Sequence, residues 1–177
     1  MFPDYNAYSQ YYGLNTGFNG GFTPGFDFRG NVSMNNEEII TFNQAVEMIK
    51  KSVLDEREDE LFYESLIKEA PTEKEKNIIT SIRDDERRHN RILRELYFNF
   101  TGQVIPVDTA NENNQTEGMS YKEKLEKSLF GELDAVVKYR RIMGVMPSGN
   151  SYTLIMSIMT DELRHASKYN FLIHNAK

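Results

Sequence analysis

Slid against itself by 76 residues, the chain comes into register with its own second half. Lys51 and Ser52 meet Lys127 and Ser128, Glu56 meets Glu132, Tyr63 meets Tyr139, Pro71 meets Pro147, and Ser81 and Ile82 meet Ser157 and Ile158. Further along, Asp85, Glu86, Arg87, Arg88 and His89 fall on Asp161, Glu162, Leu163, Arg164 and His165. A unit copied this closely is expected to fold the same way twice and to pair with its copy about a pseudo-twofold axis.

Local signals say what the unit is. Capping boxes are expected at Thr41 with Gln44, Thr72 with Glu75, and Ser120 with Glu123, each satisfying orphan backbone donors at a helix start. Pro71, Gly102 and Pro147 stand where helices stop or turn. The resulting helices cover 41–69, 72–100, 121–146 and 151–174, each with an apolar stripe such as Phe42, Val46, Ile49, Val53 or Ile155, Ile158, Tyr169, Leu172. Short connections make antiparallel hairpins of the first and second helices and of the third and fourth. Residues 102–119 can extend about 60 Å, enough to run back along a helix of about 43 Å. The expected fold is all-α: a four-helix bundle of two repeated hairpins, 41–101 and 117–177, joined by a long crossover at 102–119.

Composition divides the chain near Asn36. Residues 1–36 hold 9 of the 21 aromatics and 6 of the 11 glycines but only three charges, Asp4, Asp27 and Arg29. This segment, with Tyr5, Tyr8, Tyr11, Tyr12, Phe18, Phe22, Phe26 and Phe28 spaced by Gly and Asn, is a low-complexity tail ahead of a bundle domain at 37–177. It resembles tails of self-assembling surface or endospore-coat proteins, so tail-mediated assembly is one expectation. A net charge of −6 without a basic cluster excludes a nucleic-acid binder. No apolar run approaches the roughly 18 residues of a membrane span, and no secretory signal is visible, so a cytoplasmic location is expected.

The acids in the repeat sit in the wrong place for a solvated face. In the second helix the stripe runs Ile78, Ile82, Glu86, His89, Leu93, Leu96, and in the third Leu125, Leu129, Glu132, Val136, Tyr139, Met143. Four glutamates, at 56, 86, 132 and 162, thus converge near mid-height of an apolar core, where carboxylates repel unless protonated or neutralised by cations. No Lys or Arg shares those stripes. Two divalent ions would balance the four charges, with His89 and His165 as neutral ligands. The chain has no cysteine, so any metal chemistry runs through carboxylates and imidazoles. A duplicated solvated face would explain the repeat but not acids on apolar stripes.

At these residues the sequence resembles the ferritin-like superfamily of dinuclear carboxylate proteins, in which two helices each supply a Glu and two supply Glu-x-x-His. The resemblance implies metal ligation by Glu56, Glu86, His89, Glu132, Glu162 and His165, holding two iron ions or, alternatively, two manganese ions. The Asp-Glu-x-Arg-His form is similar to that of bacterial di-iron oxygenases. It implies that Asp85 and Asp161 orient His165 and His89 across the helix pair, with Arg88 and Arg164 holding the aspartates. Tyr63 and Tyr139, seven residues after the single glutamates, are either core tyrosines or catalytic residues that bond ligand carboxylates or relay a radical. Among relatives, rubrerythrins look nearest, with two departures: no cysteine-rich electron-donor domain, and Ala135 where they carry an extra Glu. Asp59 or Glu60 would replace that ligand, or belong to an exposed charge run. The activity implied is peroxidase or ferroxidase chemistry on hydrogen peroxide or dioxygen with an external electron donor. A manganese catalase and a structural, coat-like bundle are the competing expectations, and a homodimer is the expected assembly.

Overall fold

The computed structural model describes residues 40–106 and 117–176; the tail 1–36 and the centre of the crossover, 107–116, lie outside the described residues. Four helices and no strands are found among them: α1 (Phe42–Glu69), α2 (Glu73–Thr101), α3 (Tyr121–Met143) and α4 (Asn150–Asn175). None is long and apolar enough to cross a membrane.

The caps follow the expected chemistry at α1 and α3, where Thr41 with Gln44 and Ser120 with Glu123 form complete reciprocal boxes. At α2 the box is half made. Thr72 Oγ1 accepts from the Glu75 backbone N–H, but the Glu75 carboxylate takes the Thr72 hydroxyl at 3.1 Å and the Tyr121 hydroxyl at 2.9 Å. Glu75 is buried, and that second contact ties the start of α2 to the start of α3. Helix α3 stops at Met143, three residues early: Gly144, Val145 and Met146 form tight turns, and α4 opens after Gly149, whose φ of 111° suits glycine. Gly102 closes α2 in the left-handed region, φ 70°.

Helix α1 packs on α2 and α3, and α4 packs on α3 and α2, so the repeat relates α1 to α3 and α2 to α4. The core lies in two apolar clusters. One holds Ile49, Val53, Leu93, Leu96, Tyr139, Ile142, Ile155 and Ile158; the other holds Leu66, Ile79, Ile82, Leu125, Tyr169 and Leu172. Helices α1 and α4 run from the first cluster to the second, and α2 and α3 run the opposite way. Every packed neighbour is therefore antiparallel, and the crossover must bridge the two ends of the bundle. Between the clusters each helix contributes one layer of buried polar residues: Glu56 on α1, Glu86 and His89 on α2, Glu132 on α3, and Glu162 and His165 on α4. The α3 stripe is rotated from the expected one, with Ser128 and Ile142 buried while Leu129 and Met143 flank the core. Replacing Tyr121 by Phe removes one hydrogen bond to buried Glu75; we expect a loss of about 1 kcal/mol, read as a fall of roughly 2 to 4 °C in melting temperature.

Candidate metal centre

Two overlapping groups of buried ligand atoms occupy the polar layer. Glu56, Glu86, His89 and Glu162 form one, and Glu86, Glu132, Glu162 and His165 the other, with the atoms of each group within 4.8 Å of one another. Glu86 and Glu162 belong to both, while Glu56 with His89 and Glu132 with His165 lie at the two sides. All six sequence-predicted ligands are thus brought together, three from each hairpin.

The histidines present the same edge inward. Nδ1 of His89 lies 3.1 Å from Glu86, 3.3 Å from Glu162 and 3.6 Å from Glu56. Nδ1 of His165 lies 3.1 Å from Glu86 and 3.4 Å from both Glu132 and Glu162. The other nitrogen, Nε2, faces Asp161 at 3.3 Å in His89 and Asp85 at 3.1 Å in His165. Each aspartate is the neighbour of the glutamate on its own helix and reaches the histidine of the other hairpin.

Those aspartates are held by both arginines. Arg88 Nη2 donates to Asp85 at 2.8 Å and to Asp161 at 2.5 Å; Arg164 Nη2 reaches Asp85 at 2.7 Å and Asp161 at 2.9 Å. Burial alone would raise both carboxyls, but hydrogen bonds from His165 and the two arginines hold Asp85, and from His89 and Arg88 hold Asp161, below the usual carboxylate range. An ionised aspartate can only accept, so Nε2 carries a proton and Nδ1 is the nitrogen left to bind a cation.

Two tyrosines complete the layer, each crossing to the other hairpin. The Tyr63 hydroxyl donates to Glu132 Oε1 at 2.7 Å, and the Tyr139 hydroxyl donates to Glu56 Oε1. Each side glutamate therefore has one oxygen anchored and one turned to the centre. Glu56 Oε2, Glu86 Oε1, Glu162 Oε1 and His165 Nδ1 are buried without a hydrogen-bond partner. Buried polar atoms are rarely left so, and acceptors converging at this spacing fit a hard or borderline divalent cation.

Protonation balances the cluster when no cation does. Burial, reinforced by Glu56, pushes Glu86 well above its ordinary value, and burial pushes Glu132 up to about 8. Burial disfavours a charged imidazole, yet the carboxylates of Glu132, Glu162 and Glu86 close to its Nδ1 raise His165 to about 12; His89, facing Asp161, Glu162, Glu56 and Glu86, is raised as well.

Asp59 and Glu60, indistinguishable in sequence as an extra ligand, separate by one helical step. Glu60 is buried away from the centre, bound by Arg57 and, at 2.6 Å, by Arg87. Asp59 lines a cavity of about 950 Å³ between α1 and α3 that reaches Glu56, Glu132 and Glu162. Asp59 stands exposed at the rim of this cavity, where the surrounding protein and the adjacent Glu56 carboxylate raise its carboxyl above the ordinary value. Lys138 lines the same cavity, with Nζ 3.4 Å from Asp55 and 4.8 Å above the Tyr139 ring. Sequence reasoning passed over Lys138; the signal was a break in the repeat, which pairs it with Phe62. Gly131 and Ala135 on α3 leave the cavity open.

No family model and no curated protein matches the chain. A solved structure of a hypothetical protein from Pyrococcus furiosus is similar, with a TM-score of 0.62 at 16% identity, covering 76% of this chain and 94% of that one. At that identity the likeness concerns the fold.

Two outcomes follow from the geometry. Replacing Asp85 by Ala frees the His165 ring and is expected to weaken metal binding about 10- to 100-fold in a competitive chelator titration, with helix content unchanged. Cation binding must displace protons from Glu86, Glu132 and the imidazoles. Affinity for a divalent cation should therefore rise with pH between 6 and 8, and calorimetry in buffers of different ionisation enthalpy should register proton release.

Proposed function

We propose that the Glu/His layer is a dinuclear metal centre of the ferritin-like type and that the chain is an oxidoreductase acting on hydrogen peroxide or dioxygen. The observation that carries this reading is the set of buried, partnerless ligand atoms on Glu56, Glu86, Glu162 and His165, shared between two overlapping groups. One cation would be held by Glu56 and His89, the other by Glu132 and His165, with Glu86 and Glu162 reaching both. Two iron ions there would supply two electrons to an oxidant without waiting for a second donor.

The chain's own residues supply the rest. Tyr139 and Tyr63 hold one oxygen of Glu56 and Glu132, so each glutamate offers the other inward. Asp161 and Asp85 hold the protons at Nε2 of His89 and His165 and so keep Nδ1 directed to the centre. The α1/α3 cavity gives a small oxidant a route to Glu56 and Glu132, and Asp59 and Lys138 place a proton-exchanging carboxyl and a positive charge on that route. Electrons would come from outside, because a chain without cysteine has no thiolate-bound relay of its own. The same absence favours a second reading, a manganese catalase, which alternately oxidises and reduces peroxide and needs no donor.

Elemental analysis of the purified protein, with peroxide consumption measured before and after reconstitution with iron or manganese, tests both readings. We expect about two metal ions per chain, peroxide loss that depends on them, and loss of metal in Glu86→Ala. Iron-dependent turnover that needs an added reductant supports the first reading; manganese-dependent turnover without one supports the second. A metal-free protein in which Glu86→Ala retains full stability would leave a structural, self-assembling role.

A further inference from the structure

The Glu/His layer spans all four helices, so an ion can approach it from an end of the bundle or between two helices. The two apolar clusters close the ends. Within each hairpin the helices pack closely along their length. On the α2/α4 side stand the guanidiniums of Arg88 and Arg164, each bonded to Asp85 and Asp161, and their positive charges oppose an approaching cation. The α1/α3 side is open, where the cavity of about 950 Å³ reaches Glu56, Glu132 and Glu162. At about 30 Å³ each, roughly 30 water molecules fit that volume, so a divalent cation can enter with its hydration shell in place.

The charges on the cavity wall select for such an ion. Lys124 is bonded to Glu69 at 2.6 Å and Lys138 to Asp55 at 3.4 Å, so two of the three lysines there are matched. Four exposed acids, Glu58, Asp59, Glu117 and Asp134, carry no ion pair among the described residues, and Lys127 alone opposes them. The rim is therefore net negative, which repels anions and concentrates cations. An acidic rim by itself would be a solvated surface. Here it leads inward to Glu56 Oε2 and Glu162 Oε1, acceptors on side chains 3% and 2% exposed that have no hydrogen-bond partner. The two copies differ on this path: Asp59, one turn beyond Glu56 on α1, answers to Ala135, one turn beyond Glu132 on α3.

We propose that divalent cations reach the layer through the α1/α3 cavity, and that Asp59 receives them at the rim and passes them to Glu56; this rests on the metal reading of the layer. Asp59 is a positioning residue that holds a cation in transit and is not a ligand of the loaded centre. A residue with that role speeds entry and exit alike, so its loss changes both rates and leaves the equilibrium in place.

Stopped-flow absorbance of Co²⁺ mixed with the metal-free full-length protein tests the route. We expect about two ions per chain in the wild type. Asp59→Asn should lower the association rate on the order of 10-fold, and the release rate in proportion, with stoichiometry and affinity unchanged. Added salt should slow the wild type more than Asp59→Asn, because less rim charge is left to screen. A Cβ at Gly131 meets nothing within 4 Å, so Gly131→Phe extends a ring into the cavity and should slow loading at wild-type helix content. Two ions bound at wild-type rates in both variants would overturn the route. So would the loss of one ion at equilibrium in Asp59→Asn, which would make Asp59 a ligand. A wild-type protein that takes up no Co²⁺ would instead overturn the metal reading itself.

Discussion

Four carboxylates buried in one layer between two apolar clusters repel one another in a medium that screens poorly, and the histidines, aspartates, arginines and tyrosines around them are placed to manage that repulsion. With no cation present, protons on Glu86, Glu132 and the two imidazoles do so; two divalent ions would do so without protons. The apolar clusters hold the layer in place because each helix passes through both. A helix that slid by one turn would move its glutamate out of the layer.

The aspartate and arginine pairs are the means by which the hairpins are locked in register. Each arginine bonds an aspartate of its own helix and one of the other hairpin, so two of the four ion pairs link α2 and α4 across the twofold. Half-exposed ion pairs are worth little by themselves. Their effect here is directional: they keep Asp85 and Asp161 ionised and in place, and thereby decide which nitrogen of each histidine turns inward. The tyrosines do the same for the side glutamates from within the core.

Much of this was legible in the chain because the repeat and the helical period together leave few choices. Glu56 and Glu132 interrupt apolar stripes at equivalent heights, and Asp85 and Arg88 sit one flank away from Glu86, which is enough to bring them to the opposite histidine. What stayed hidden depends on distances between helices. The cavity exists because Gly131 and Ala135 are small where α3 faces α1, a fact that no one-dimensional pattern weighs. Asp59 and Glu60 differ by one 100° step, enough to send one to the cavity and the other to Arg87. Glu75 reads as the second half of a capping box, but Tyr121, 46 residues on, competes for its carboxylate.

The division of the metal-site residues, three from each hairpin, gives the crossover a meaning beyond connection. Neither hairpin alone can assemble the layer, so a single hairpin would have to find a second one by diffusion. Carried on one chain, the encounter becomes intramolecular, at an effective concentration set by the length of residues 102–119. The crossover thus replaces dependence on protein concentration with dependence on chain length. It also permits what two identical hairpins could not: the copies differ, and in the cavity Lys138 answers to Phe62 and Asp59 to Ala135 in the repeat.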